Sequence, residues 1–172
     1  ATSGTLTFAP GQTTRTVTAE VEGDTFDEEN ETLFLNLSNP GNATITDGTG
    51  VGTIDDDDGM PDLSIDDVTV TEGDTGTVNA TFTVSLNAPS DLDVSVDFAT
   101  ADGTATAPAD YTAANGTLSF TPGQTSKVVT VQVRGDLLDE ANETYFVNLS
   151  NPTNATIADG QGLGTITDND PL

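Results

Sequence analysis

Two short segments of this chain concentrate carboxylates at an identical spacing. Residues 135–144 carry four acids directly before an alternating apolar run: Asp136, Asp139, Glu140 and Glu143. Residues 23–32 repeat this arrangement. Carboxylates grouped in this way either bind a hard cation, since Ca²⁺ takes about 6 to 8 oxygen ligands, or serve as the paired acids of a glycosidase. Both kinds of chemistry require other loops to bring further acids to the same place.

The charge balance restricts the partners and reactions that are compatible with this chain. Its 172 residues include 29 acids, only 3 lysines and arginines, no histidine and no cysteine, for a net charge of −26. Nothing in such a surface neutralises phosphates, so we expect neither nucleic acid nor an anionic membrane surface as a partner. Without histidine or cysteine the commonest general base and thiolate chemistry are missing, and we expect no enzymatic activity.

An internal repeat organises the chain. Segment 3–59 aligns without a gap on segment 115–171, at a constant offset of 112 residues, whereas segment 62–114 has no earlier counterpart. A long match at a fixed offset is typical of tandem structural units. The repeat predicts the second half of one domain at 1–58, a linker at 59–61 and a complete domain at 62–172.

The complete domain shows strand periodicity and no helical pattern. Seven strands are predicted, with A at 63–70, B at 78–86, C around 94–98, D at 118–120, E around 129–133, F at 145–149 and G at 163–166. One apolar face on each strand predicts an all-β, seven-stranded antiparallel immunoglobulin-like β-sandwich. It is preceded by a partial sandwich, because the first repeat holds only the counterparts of D, E, F and G.

Strand parity places many acids at one end of this sandwich. In an antiparallel arrangement strands A, C, E and G all finish at the same pole, so the residues that follow them become neighbours. These residues include Glu72, Asp102, Asp136, Asp139, Glu140, Glu143, Asp168, Asn169 and Asp170. Carboxylates in contact repel each other unless a cation lies between them, which predicts a Ca²⁺ site. The alternative is a solvated acidic surface.

Several motifs resemble the Calx-beta domain. They are Glu72-Gly73, Phe98 to Ala105, Asp110-Tyr111, Gly116 to Phe120, Asp139 to Glu143 and Asp168 to Asp170. The resemblance implies an immunoglobulin-like sandwich that binds Ca²⁺ at the acidic pole. It implies a ligand set of Glu72, Asp102, Asp136, Glu140, Glu143, Asp168 and Asp170, with the carbonyl of Leu138. Gly135 and Asn169 depart from the acids expected at their positions, which predicts fewer ions or weaker binding.

The first repeat carries a second, weaker candidate set. Its acids are Asp24, Glu28, Glu31, Asp56, Asp57 and Asp58. The partners that Glu72 and Asp102 provide in the full domain are missing from this repeat. Because residues 55–58 also lead into strand A, an ion bound there would stiffen the joint between two sandwiches.

These observations predict a calcium-binding structural or adhesive repeat module of a large extracellular, cell-surface protein, of bacterial origin. Its partners would be neighbouring Calx-beta repeats, in the same chain or in adjacent molecules. One alternative is a fibre in which strands of another molecule complete the half domain, since strands D to G alone leave apolar faces uncovered. Another is a regulatory calcium sensor, as in the exchanger members of the family.

Overall fold

The computed structural model describes residues 3–171 and divides the chain into two units. The first unit takes residues up to 25 together with 31–54, and the second takes 26–30 together with 55 onward. Within the described residues the structure contains no helix, and none therefore has the length and apolarity needed to cross a membrane.

The first unit contains one strand pair among its described residues. Strands β1 (Glu31–Asn36) and β2 (Thr49–Ile54) run antiparallel. They are the counterparts of strands F and G, but the predicted counterparts of D and E form no strand in the described part of the chain. The pairing in the complete domain explains this correction. There D pairs with C and E pairs with B, and segment 62–114, which supplies B and C, has no copy in the first repeat.

As a result, the apolar face of the first repeat is exposed. Val17, Val21, Leu35 and Leu37 are all exposed, whereas Val147 and Leu149, the equivalents of Leu35 and Leu37, are buried in the second unit. In the second unit, strands from segment 62–114 cover the equivalent apolar face. Completion of the apolar face of the first repeat by another molecule stays a prediction.

The described residues of the second unit form ten strands. Their bounds are β3 Asp62–Ile65, β4 Val68–Thr71, β5 Gly76–Leu86, β6 Val94–Asp102, β7 Tyr111–Thr112, β8 Asn115–Phe120, β9 Ser126–Gly135, β10 Glu143–Thr153, β11 Thr156–Asp159 and β12 Gln161–Thr167. They form two five-stranded sheets, in the orders β4-β12-β10-β6-β8 and β11-β3-β5-β9-β7. The expected all-β sandwich is confirmed, although the strands are more numerous than the seven predicted.

The predicted strand A is divided between the two sheets. Strand β3 pairs with β5 in one sheet, and β4 pairs in parallel with β12 in the other. Two acids lie at the crossing: the Asp66 carboxylate accepts the Thr83 N–H of β5 at 2.6 Å, and the Asp67 carboxylate accepts the Leu163 N–H of β12 at 2.7 Å. The sandwich is therefore not purely antiparallel, since the β3–β11 pair is also parallel.

Alternate residues of the strands fill the space between the sheets. Phe82 and Val84 of β5 and Val131 and Val133 of β9, which lie side by side in one sheet, are fully buried in the same core cluster as Tyr145 of the opposite sheet. Tyr111 stacks on Tyr145 with ring centroids 4.6 Å apart, and Phe82 meets Tyr145 edge-on at 6.0 Å. The core thus extends to the end of the sandwich where β6, β9 and β12 finish.

Candidate metal centre

Strand register brings the acidic loops to one pole of the second unit. Thr71 at the end of β4 pairs with Thr167 at the end of β12, and Gly135 at the end of β9 pairs with Gly76. At the same pole, β6 ends at Asp102, which pairs with Tyr145 near the start of β10. The segments that follow β4, β6, β9 and β12 are consequently neighbours, as the parity argument predicts.

Three carboxylates form the first group at this pole. Glu72, Asp168 and Asp170 each offer an oxygen, and these oxygens lie within 4.8 Å of one another. Glu72 is only 5% exposed and Asp170 only 9%, although such residues are rarely buried without a partner. Oδ2 of Asp170 is buried and has no hydrogen-bond partner among the described residues.

Burial and mutual repulsion raise the pKa values in this group. The pKa of Glu72 rises to about 7, first because burial penalises its charged form and then because of the charges of Asp136 and Asp168. The pKa of Asp170 is also raised, again first by burial and then by Asp74 and Asp168. The pole therefore holds more negative charge than its surroundings stabilise, which is the condition that a bound cation relieves.

A second group lies in the neighbouring loops. Asp110, Glu140 and Glu143 also place carboxylate oxygens within 4.8 Å of one another. Burial, followed by the charges of Asp110 and Glu140, raises the pKa of Glu143 to about 7. Asp110 is held in place by Thr106, whose N–H and hydroxyl donate to Asp110 Oδ2 at 2.7 and 3.2 Å.

Asp110 was not in the sequence-predicted ligand set, whereas Asp102 was. The structure places Asp102 in neither carboxylate group. Its Oδ1 accepts the Tyr111 hydroxyl at 2.6 Å and the Ala107 N–H at 3.0 Å, and these bonds lower the pKa of Asp102. Asp110 precedes β7, a strand of two residues that pairs with β9, and so short a strand leaves no periodic signal in the sequence.

The remaining predicted residues of the full domain lie around these groups. Asp136 Oδ1 accepts the Leu138 N–H at 2.7 Å, while the Leu138 side chain is exposed. Asn169, the departure noted within the last acidic motif, has a structural role: its Oδ1 accepts the Gly73 N–H at 2.8 Å and its Nδ2 donates to Asp74 at 2.9 Å. Asn169 thus ties the loop that carries Glu72 to the exit of β12.

Gly135, the other departure, allows the loops to approach closely. A Cβ atom at this position would overlap the backbone carbonyl of Gly73, next to Glu72. Any side chain at residue 135, including the aspartate that the resemblance implies, would push the loop of Glu72 away from the loop of Asp136. Glycine at position 135 therefore leaves the pole without the aspartate that the resemblance implies. It also allows the loop that carries Glu72 to lie beside the loop that carries Asp136.

The acids of the first repeat are divided between the two units. Asp24 and Glu31 belong to the first unit, and Glu28, Asp56, Asp57 and Asp58 belong to the second. One local feature is shared with the full domain: the Asp56 N–H donates to Asn30 Oδ1 at 2.9 Å, as the equivalent Asp168 N–H donates to Asn142 at 3.2 Å. The weaker metal site of the half domain stays a prediction.

The raised pKa values predict how stability depends on pH when no cation is present. The ordinary pKa of a glutamate is 4.5, whereas Glu72 and Glu143 have pKa values of about 7 in the folded chain, so the folded state binds protons more tightly. Their contribution to stability is full below pH 4.5 and is lost as pH rises through about 7. We expect the Tm in chelator to fall between about pH 5 and pH 8.

Thermal unfolding followed by circular dichroism measures this slope. The variant with both Glu72→Gln and Glu143→Gln is the control, and its Tm should change less over the same range. A wild-type Tm that rises with pH in chelator would contradict the assignment.

A family model of the Calx-beta domain matches the chain twice, at residues 1–58 and at residues 54–170. The chain belongs to the Calx-beta family. The double match also confirms that a Calx-beta repeat has a neighbouring repeat in the same chain. The resemblance inferred from the motifs around Glu72, Asp110 and Asp139 is thereby confirmed.

Similar proteins include an exchanger and solved domains. Sodium/calcium exchanger 1 of Canis lupus familiaris is 41% identical over 70 residues, which cover 41% of this Calx-beta chain and only 7% of the exchanger. The calcium binding domain CBD12 of CALX1.1 is 27% identical with a TM-score of 0.56, over 63% of this chain and 46% of that one. The apo form of the Calx CBD1 domain, 24% identical, has a TM-score of 0.56 over 65% of this chain and 100% of that one, and supports the fold.

Two expectations from the sequence are affected by these similarities. Ca²⁺ as the cofactor is confirmed at the level of the Calx-beta family, whose solved members include a calcium-binding domain. The predicted extracellular, cell-surface location is wrong, because the similar segments belong to sodium/calcium exchangers and to a calcium binding domain of CALX1.1.

Proposed function

We propose that this Calx-beta chain is a non-catalytic regulatory module that senses Ca²⁺ through the acidic pole of its complete domain. The observation that carries the proposal is the buried group of Glu72, Asp168 and Asp170, where an acceptor oxygen of Asp170 has no hydrogen-bond partner among the described residues. Uncompensated buried carboxylates destabilise the free protein, and a hard divalent cation offsets that cost.

The proposed ligands come from four loops. Glu72, Asp168 and Asp170 would hold one ion, and Asp110, Glu140 and Glu143 would hold a second. Asp136, whose charge acts on Glu72, and the Leu138 carbonyl would complete the coordination from the loop between β9 and β10. We assign Asp102 the role of positioning Tyr111, and with it Asp110, since its carboxylate is already engaged in hydrogen bonds.

Regulation would follow from the difference between the free and bound loops. Residues 136–142 form no strand and are largely exposed, whereas β10 begins at Glu143 and alternates buried residues from Tyr145 to Leu149. A ligand that binds only the ordered arrangement shifts the population toward it. The similarity to sodium/calcium exchangers supports this regulatory role over a structural or adhesive array.

Isothermal titration of the chain with CaCl₂ tests the proposal. We expect saturable binding, with Asp170→Asn and Asp110→Asn each weakening affinity by about tenfold or more, because each removes a charged ligand (about 1.4 kcal/mol per factor of ten). Asp159→Asn is the matched control, since Asp159 is exposed at the other end of the sandwich. The absence of binding, or an equal loss in all three variants, would refute the site.

A further inference from the structure

Strand β8 lies at an open edge of the complete domain. In the sheet β4-β12-β10-β6-β8 it pairs with β6, and none of the described residues pairs with its other side. The Thr100 N–H donates to the Ala114 carbonyl at 2.9 Å, where the ladder between β6 and β8 begins. Because hydrogen-bonded pairs alternate with non-hydrogen-bonded pairs in an antiparallel ladder, every second residue after Ala114 directs its backbone groups to β6. The residues between them direct their N–H and C=O groups to the open side: Asn115, Thr117 and Ser119.

This edge lacks the features that keep a sheet from pairing with other strands. Sheet edges are normally protected by charged side chains, proline or β-bulges. Strand β8 has no charged residue and no proline, its register with β6 is unbroken, and Asn115, Thr117 and Ser119 are exposed. An extended strand with free backbone groups can therefore add to the sheet at β8.

The charge distribution favours this edge over the others. Residues 111–135, which include β7, β8 and β9, contain no acid and hold two of the three basic residues of the chain. The other edge strands are accompanied by acids: Asp67 and Glu72 flank β4, Asp159 ends β11, and Asp110 precedes β7. Since the chain has a net charge of −26, β8 is the edge at which two copies approach each other with the least repulsion.

The sequence of β8 is complementary to itself. If Thr117 lies opposite Thr117 of a second copy in an antiparallel pair, Asn115 of each copy lies opposite Ser119 of the other. All three pairs would then be hydrogen-bonded pairs, in which both residues exchange their N–H and C=O bonds. Polar cross-strand pairs such as Thr with Thr add to the stability of a sheet. On the core side, Leu118 of each copy would lie beside Gly116 of the other, which has no side chain to obstruct it.

We propose that two copies of this chain associate through antiparallel pairing of their β8 strands, centred on Thr117, so that two sheets become one continuous sheet. The occupant is a second copy, because the edge requires an uncharged extended strand that matches the three free positions, and β8 itself meets both requirements. Strand β8 contains none of the proposed calcium ligands. The association therefore goes beyond calcium sensing and requires no ion at the acidic pole.

Oxidative crosslinking tests the register, since the chain has no cysteine of its own. In the proposed pair the two Thr117 Cα atoms are about 5.5 Å apart, which is within the range of a disulfide. We expect Thr117→Cys to form a covalent dimer. Ser119→Cys is the matched control on the same strand: its two copies would lie about 14 Å apart along the strands and should crosslink at least about tenfold more slowly.

Mixing two variants checks the same register from the other positions. Asn115→Cys and Ser119→Cys, combined in equal amounts, should form a mixed dimer within about threefold of the rate of Thr117→Cys. A Thr117→Cys chain that crosslinks no faster than Ser119→Cys alone would overturn the proposal.

Sedimentation of chains without cysteine gives a second readout, in chelator and at about 1 M salt, where repulsion between the acidic copies is screened. Thr117→Pro removes an N–H that points away from β6, which an edge strand tolerates, and should weaken the dimer by at least about tenfold. Thr117→Val is its control: it keeps the N–H, loses the hydroxyl bond to Asp97 and should dimerise within about threefold of the wild type.

A wild-type chain that stays monomeric under these conditions would overturn the proposal, as would a Thr117→Pro chain that dimerises as the wild type does. Lowering the salt concentration should weaken the wild-type dimer, because both copies carry the same charge. Every measurement is made without Ca²⁺, so failure here is distinguishable from failure of the calcium site.

Discussion

Glu72→Gln is expected to raise the Tm of the calcium-free chain at pH 7.5 and to lower the Tm of the calcium-loaded chain. In the free protein the Glu72 carboxylate is buried among like charges, and burial and these charges raise its pKa to about 7, so a neutral isostere removes a destabilising charge. In the loaded protein the same change removes a ligand. The sign of the effect therefore reverses with Ca²⁺.

The wild-type chain should show the larger response to the ion. At a free Ca²⁺ concentration about 100 times Kd, binding to the folded state adds about 2.7 kcal/mol, which for a domain of about 100 residues raises Tm by about 10 °C. Differential scanning calorimetry with millimolar Ca²⁺ and with chelator measures this shift. We expect Glu72→Gln to lose most of it.

Asp159→Asn serves again as the control and should keep the full calcium shift. Two results would favour the alternative that the acidic pole is a solvated surface without a bound ion. One is a Tm that Ca²⁺ leaves unchanged, and the other is a Glu72→Gln variant whose Tm is lowered equally with and without the ion.

Gly135→Ala is expected to destabilise the chain and to weaken calcium binding together. The added Cβ would overlap the Gly73 carbonyl, which is backbone and cannot rotate away. Forcing the two strand ends apart costs about 1–3 kcal/mol, against the few tenths to about 1 kcal/mol that an unstrained glycine to alanine change gains. The loop that carries Glu72 would move away from Asp168, and we expect the affinity for Ca²⁺ to fall by about tenfold or more.

Chemical denaturation and calcium titration of the same preparation measure both effects. Gly59→Ala is the matched control, because nothing lies within 4 Å of its added Cβ. If Gly135→Ala destabilised the chain but bound Ca²⁺ with unchanged affinity, the glycine would matter for the fold alone and not for the assembly of the pole.

Most strands could be predicted from the sequence, because the alternation of apolar and polar residues that marks them is a local property of the chain. Alternation over 78–86 and 129–133 records which side chains face the core, and Phe82, Val84, Val131 and Val133 are fully buried as expected. The division of strand A into β3 and β4 could not be predicted from the sequence, since Asp66 and Asp67 look like ordinary polar residues within a strand. Their effect depends on partners in β5 and β12, one near in sequence and the other far away.

The first repeat shows how pairing overrides local propensity. Residues 16–22 have nearly the same alternation as their counterparts in β9, yet the described chain forms no strand there. A strand needs a neighbour to satisfy its backbone groups, and β9 obtains its neighbour from β5. Only the F and G counterparts pair with each other, so only they form strands in the described part of this repeat.

By itself, the sequence determined the all-β class, the repeat, and the convergence of acids from the strand exits on one pole. These follow from side-chain alternation and strand parity, which need no knowledge of individual contacts. Only the tertiary structure decided which carboxylates meet there. Asp102 ends β6, and its carboxylate accepts a hydrogen bond from the Tyr111 hydroxyl. Asp110 lies in the loop after β6, and the pairing of β7 with β9 brings it beside Glu143. That choice rests on long-range geometry, which spacing along the chain does not encode.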